Sequence, residues 1–176
     1  PPSAWIARSG DRLVVLHDLD NDLKTSYDWA PVATEKGKPS MNLAQWMLSP
    51  WGSPDQIVLP GFHTAAETAL KRDASGEQLF LAVCGLMSTG ARTVMLSRWR
   101  DGGHTSYELM REFVRELPHR SAAAAWQRSV HLAAQSELDV EREPRVKRPA
   151  TDTTLTADHP FFWGSYMLVD TGIEPN

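Results

Sequence analysis

Two rhythms alternate along this chain. Short apolar runs rich in β-branched residues read as strands, and longer stretches with apolar residues every three or four positions read as helices. The clearest unit lies between Gln56 and Trp99. Gln56-Ile57-Val58-Leu59 is a strand run that Pro60-Gly61 breaks at once. Leu79 to Met87 carries a helical apolar face that Gly90 stops, and Ala91 to Ser97 returns as a second buried strand. Strand, helix and strand in that order make one βαβ unit.

The same reading extends to both sides. Asp11 to Leu16 predicts a strand that ends at His17 and gives way to the polar run Asp18-Leu19-Asp20-Asn21-Asp22. Residues 23–40 have no period and read as loop, with room for a short hairpin. Ser40 is placed to cap a short helix with Leu43, Trp46 and Met47 on one face, ended by Pro50 and Gly52. Thr105 to Glu108 has capping-box spacing, and Leu109, Phe113 and Leu117 recur every four residues until Pro118. Ser121 caps a further helix whose inner stripe is Ala122, Trp126, Val130 and Ala133 or Ala134. Residues 139–158 lose periodicity and predict an exposed inserted loop. Phe161 to Val169 predicts a last strand, rich in aromatics. Strands alternating with helices give an α/β domain, a mostly parallel sheet with helices on both faces in three α/β/α layers. The expectation is one domain over residues 1–176.

Composition narrows the partners. A net charge of −4 with 41% hydrophobic and 23% charged residues fits a soluble globular chain. It offers nucleic acid or anionic lipid no general attraction. No apolar run approaches the roughly 20 residues that span a bilayer, and no leader pattern opens the chain. Its single cysteine, Cys84, excludes an internal disulfide and a cysteine-based metal cluster, so the cytoplasm is the expected compartment. The opening Pro1-Pro2-Ser3 lacks a Met, and reads as the start of a piece of a longer protein.

Candidate chemistry gathers where strands end, because loops from several parallel strands converge beyond their carboxyl ends. His63 and Thr64 follow the Pro60-Gly61 break. Two readings of His63 stand open: a cap or loop-packing residue, or a ligand-binding group. Asp18, Asp20 and Asp22 alternate as in a calcium loop, yet Leu23 replaces the turn glycine and Trp29 stands at the bidentate glutamate position, so no EF-hand is formed. Arg98, Trp99 and Arg100 follow the second strand, and either recognise a carboxylate or phosphate or pair with Asp22 or Glu67. Cys84 reads as a small buried hydrophobe more readily than as a displaced nucleophile. Ser88 falls at a helix end, the wrong place for a hydrolase elbow. Glu141 to Arg148 mixes charge signs and reads as a solvated linker.

Several of these residues together resemble one family. The chain is similar to the C-terminal part of a CHAT domain, a caspase-like cysteine peptidase family of clan CD often attached to tetratricopeptide repeats. The likeness rests on Asp11 to Asp22, Ile57 to Glu67, the Gly90-Ala91-Arg92 strand running to Ser97-Arg98-Trp99, the Leu109 to Phe113 helix, and His159-Pro160-Phe161-Phe162-Trp163-Gly164. In that family one strand leads to a His-x-x-x-His-Gly pattern and the other to Ser-Ala-Cys. Here His17 matches the first histidine, but Asn21 stands at the catalytic base, Asp22 at the glycine and Phe62 at the nucleophile. Neither an amide nor a benzyl ring can replace a thiolate and its base. The resemblance therefore implies a caspase-like scaffold without peptidase chemistry, with no catalytic residue, cofactor or metal. Its candidate binding rim is His17, Asp18, Asp20, Asp22, His63, Thr64, Arg98 and Trp99. The expected partner is a protein or peptide, or another segment of the parent chain. The alternative is an active, divergent cysteine peptidase or hydrolase of the same class.

Overall fold

The computed structural model describes residues 11–16, 20–21, 29–30, 54–62, 77–98, 102–144, 146–147 and 155–172. They form six strands and three α-helices: β1 (Arg12–Val14), β2 (Asp20–Asn21), β3 (Trp29–Ala30), β4 (Gln56–Leu59), α1 (Glu77–Ser88), β5 (Thr93–Ser97), α2 (His104–Glu116), α3 (Ala122–Gln135) and β6 (Tyr166–Asp170). The chain groups into two compact units. The first comprises residues 1–100 and 166–171, the second residues 101–165 and 172–176. This is a mixed α/β fold of the caspase-like class. The short Ser40 helix expected from the sequence lies outside the described residues.

The first unit is built on a sheet in the order β1-β4-β5-β6. β1, β4 and β5 run parallel, with Val14 opposite Val58 and Leu59 opposite Leu96, while β6 runs antiparallel to β5. Burial follows position in the sheet. Central β5 is buried at all five residues and β4 at three of four, whereas β1 and β6 are half-buried throughout. An unbroken apolar run in β4 and β5 is what a parallel strand covered on both faces requires. α1 packs on the sheet through Ala82, Val83 and Leu86, with Leu79 and Met87 half-buried beside them. Gly90, at a φ of 106°, then turns the chain out of the helix, its N–H bonding the Met87 carbonyl at 3.0 Å. Most side chains would be strained there. The predicted last strand starts later than expected, at Tyr166. Pro160–Phe162 form a 3₁₀ turn instead, and Gly164 passes so close to the Pro160 carbonyl that a Cβ would sit 2.8 Å from it.

The second unit contains the antiparallel-type helix pair α2 and α3. Leu109, Met110 and Phe113 fill the inner face of α2, and Phe113 meets Trp126 edge to face at 5.7 Å. Ser121 caps α3 as the sequence predicts, accepting the Ala124 N–H at 3.4 Å. The inner stripe of α3 is rotated from the predicted one: Ala122, Ala125 and Ser129 are buried, while Val130 is half-buried. Small residues there let the two helices approach closely. Thr105 is not a cap, which corrects the capping-box reading. α2 begins at His104 behind Gly103, and its first-turn donor Thr105 N–H is taken by the Glu143 carboxylate at 2.7 Å. That glutamate is 4% exposed. Within the stretch expected to be an exposed inserted loop, Asp139, Glu141, Arg142, Pro144, Lys147 and Asp158 are exposed, whereas Glu143 and Ala157 are buried. A small cluster of Leu138, Ala157 and Phe162 anchors its ends.

Candidate functional site

Parallel strands deliver their carboxyl ends to one rim of the first unit. Val15 N–H bonds the Val58 carbonyl at 3.0 Å, which carries the β1–β4 register one step past β1. Leu16 follows the end of β1 and Arg98 follows the end of β5, both on the side of the sheet where the parallel strands finish. Ser97, fully buried, stands opposite Tyr166 of β6 on the same rim.

Phe62 behaves differently from an apolar groove floor. After Leu59 the chain turns tightly, Phe62 N–H returning to the Leu59 carbonyl at 3.0 Å. The ring drops into the core, 1% exposed, in one cluster with Leu59, Ala82, Leu86 and Leu96. Burying a phenylalanine to this depth is worth about 1.5–3 kcal/mol in transfer alone, so the tail of this turn is held in the core. Among the described residues, the rim presents Leu16 as an exposed apolar group, 57% exposed. Strand parity could have identified it. Leu13 and Val15 pack on the core cluster, so the alternate set containing Leu16 faces the other way.

Of the other predicted rim residues, Arg98 is exposed just beyond the end of β5. Asp20 and Asn21 are not in an open loop: they form β2, paired antiparallel with β3, Asn21 opposite Trp29. His17, Asp18, Asp22, His63, Thr64 and Trp99 lie outside the described residues. Among the described residues no group of three His, Cys, Asp or Glu side chains is close enough to hold a metal ion. No helix among them is long and apolar enough to cross a membrane.

Cys84 requires a correction. Its thiol is exposed, not buried. Residues 79, 82, 83, 86 and 87 share the sheet-facing stripe of α1, and at 100° per residue position 84 falls with exposed Phe80 and Ser88 on the outer side. A thiol on that side of α1 is turned away from the strand-end turn that holds Phe62. The Ser88 hydroxyl donates to the Gly85 carbonyl at 2.7 Å in the closing helical turn.

A caspase-like sheet whose second parallel strand breaks into the Phe62 turn has a counterpart among known families. The model of the CHAT domain matches residues 54–171. The chain belongs to the CHAT domain family. It is therefore a peptidase-related domain, and Phe62 lies inside the matched region, whereas β1, Asn21 and the Asp18–Asp22 run precede it. The closing His159-Pro160-x-x-Trp163 pattern, one of the two most specific features of the resemblance, does structural duty here. His159 Nδ1 accepts the Phe161 N–H at 3.1 Å and Pro160 fills the first helical position of the turn. No curated protein and no solved structure matches the chain significantly.

Proposed function

We propose that this chain is a catalytically inactive CHAT-type domain that acts by binding a protein or peptide, either a separate chain or another segment of its parent protein. One observation carries the reading. Phe62, at the position that the family resemblance gives to the nucleophile, offers no nucleophilic atom, and its side chain is sealed in the hydrophobic core. Cysteine catalysis needs a thiolate within hydrogen-bond reach of a base. Neither the ring of Phe62 nor the outward-facing thiol of Cys84 supplies one. What supports a binding role at the strand ends is exposed Leu16, suited to an apolar side chain, and exposed Arg98, suited to a carboxylate. An exposed thiol fits a reducing cytoplasm.

The test is turnover of a fluorogenic peptide library by the full chain, with Cys84→Ser, His17→Ala and His63→Ala beside it. The expected result is no hydrolysis above buffer for any of the four. Turnover that is abolished by either histidine change would establish an active, rearranged enzyme and end the inactive reading. For binding, peptides retained on an array by the parent chain should be lost on Leu16→Asp and weakened by Arg98→Glu.

A further inference from the structure

A second surface lies on the helix pair of the other unit. A groove of about 190 Å³ runs between α2 and α3, large enough for one long side chain. Leu109, Leu132 and Ala133 give it apolar walls, and Glu108 and Glu112 bring two carboxylates to it. The hydroxyls along its α3 side are already engaged: Ser129 donates to the Ala125 carbonyl at 2.8 Å and Ser136 to the Leu132 carbonyl at 2.9 Å. The carboxylates therefore set its polarity.

We infer that this groove receives an arginine side chain from a partner protein, its methylene stem on Leu109 and Leu132 and its guanidinium between Glu108 and Glu112. Two features of the molecule support a cation there. Glu108 and Glu112 are one helical turn apart on a single face, so their like charges repel, and a positive group between them removes that repulsion. Their present partners are weak competitors. Arg111 contacts Glu108, and Arg115 lies 3.5 Å from Glu112, but these arginines are 50% and 69% exposed, more open than the glutamates at 34% and 24%. Such surface pairs contribute little and are readily exchanged. A planar guanidinium with five donors can bond both carboxylates at once, which an ammonium does less well. The groove would serve an active or an inactive domain alike.

The experiment is an NMR titration of the full chain with acetyl-arginine amide, and separately with acetyl-citrulline amide, its neutral near-isostere. Millimolar arginine amide should shift the resonances of Leu109, Glu112, Leu132 and Ala133, while citrulline amide should not. Glu112→Gln, an isosteric surface change, should weaken binding about two- to fivefold, as loss of one partly exposed ion pair implies. An equal response to citrulline amide, shifts centred elsewhere, or unchanged affinity in Glu112→Gln would each overturn the assignment.

Discussion

The two units of this chain hold themselves together by different means. In the first, the strand-end turn after β4 is closed by a hydrocarbon ring, and the cluster around Phe62, Leu59 and Leu96 contains no charged group. In the second, polar groups take structural positions inside. Glu143 caps α2 and Ser129 returns its hydroxyl to the Ala125 carbonyl, while on the surface Glu116 receives Arg120 and Arg128 at 2.6 and 3.0 Å. The contrast shows where a peptidase-related scaffold can change its chemistry. A buried apolar position such as Phe62 is open to any side chain that fills its volume, whereas a carboxylate that ends a helix can be replaced only by another acceptor.

Substitutions can break that contrast. Phe62→Ala should have the largest effect, about 3–5 kcal/mol of lost stability from the cavity it leaves, measured by denaturant unfolding. Glu143→Ala should cost less, about 1.5–3 kcal/mol, because the Thr105 N–H loses its charged acceptor. If Glu143→Ala proved the more damaging, the first unit would not owe its integrity to Phe62. A third, smaller effect concerns pH. Partial desolvation opposes ionisation of Glu116, but the hydrogen bonds from Arg120 and Arg128 outweigh it and hold the carboxyl below its ordinary value of 4.5. The folded chain thus binds this proton less readily than the unfolded one. The stability Glu116 contributes is complete above pH 4.5 and disappears as the pH falls through the folded value. Thermal melts across that range should show a shallower loss for Glu116→Gln, and salt should reduce the difference. The smallest effect belongs to Cys84→Ser, within about 0.5 kcal/mol of the parent chain. In the parent, one thiol should react with a colorimetric thiol reagent without denaturant.

Much of the first unit could be read from the residues. Gln56 to Leu59 and Thr93 to Ser97 are apolar on both faces and bounded by Pro, Gly and Ser, a pattern that leaves one solution. The helix stops at Gly90 and Pro118 were equally plain. Cys84 was misplaced because the apolar content of α1 is high all round, so its neighbours Val83 and Leu86 did not reveal which way the helix is turned. The N-terminus of α2 was misread for another reason: its acceptor comes from Glu143, 38 residues along the chain, and no local spacing announces it. At the candidate site, the sharp turn after Leu59 that carries Phe62 was legible from Pro60-Gly61. The disappearance of the Phe62 ring into the core was not, since that depends on Ala82 and Leu86 arriving from α1.

β6 belongs to the first unit yet follows the whole helix pair in the chain, and Tyr166 must find its place opposite Ser97. On the ribosome, β5 therefore emerges about 70 residues before its antiparallel neighbour, which at 5–20 residues per second is a wait of several seconds. For that time Val94, Met95 and Leu96 form a naked edge, the kind of strand that recruits other chains. The order of synthesis makes Tyr166 to Asp170 the residues that close this seam.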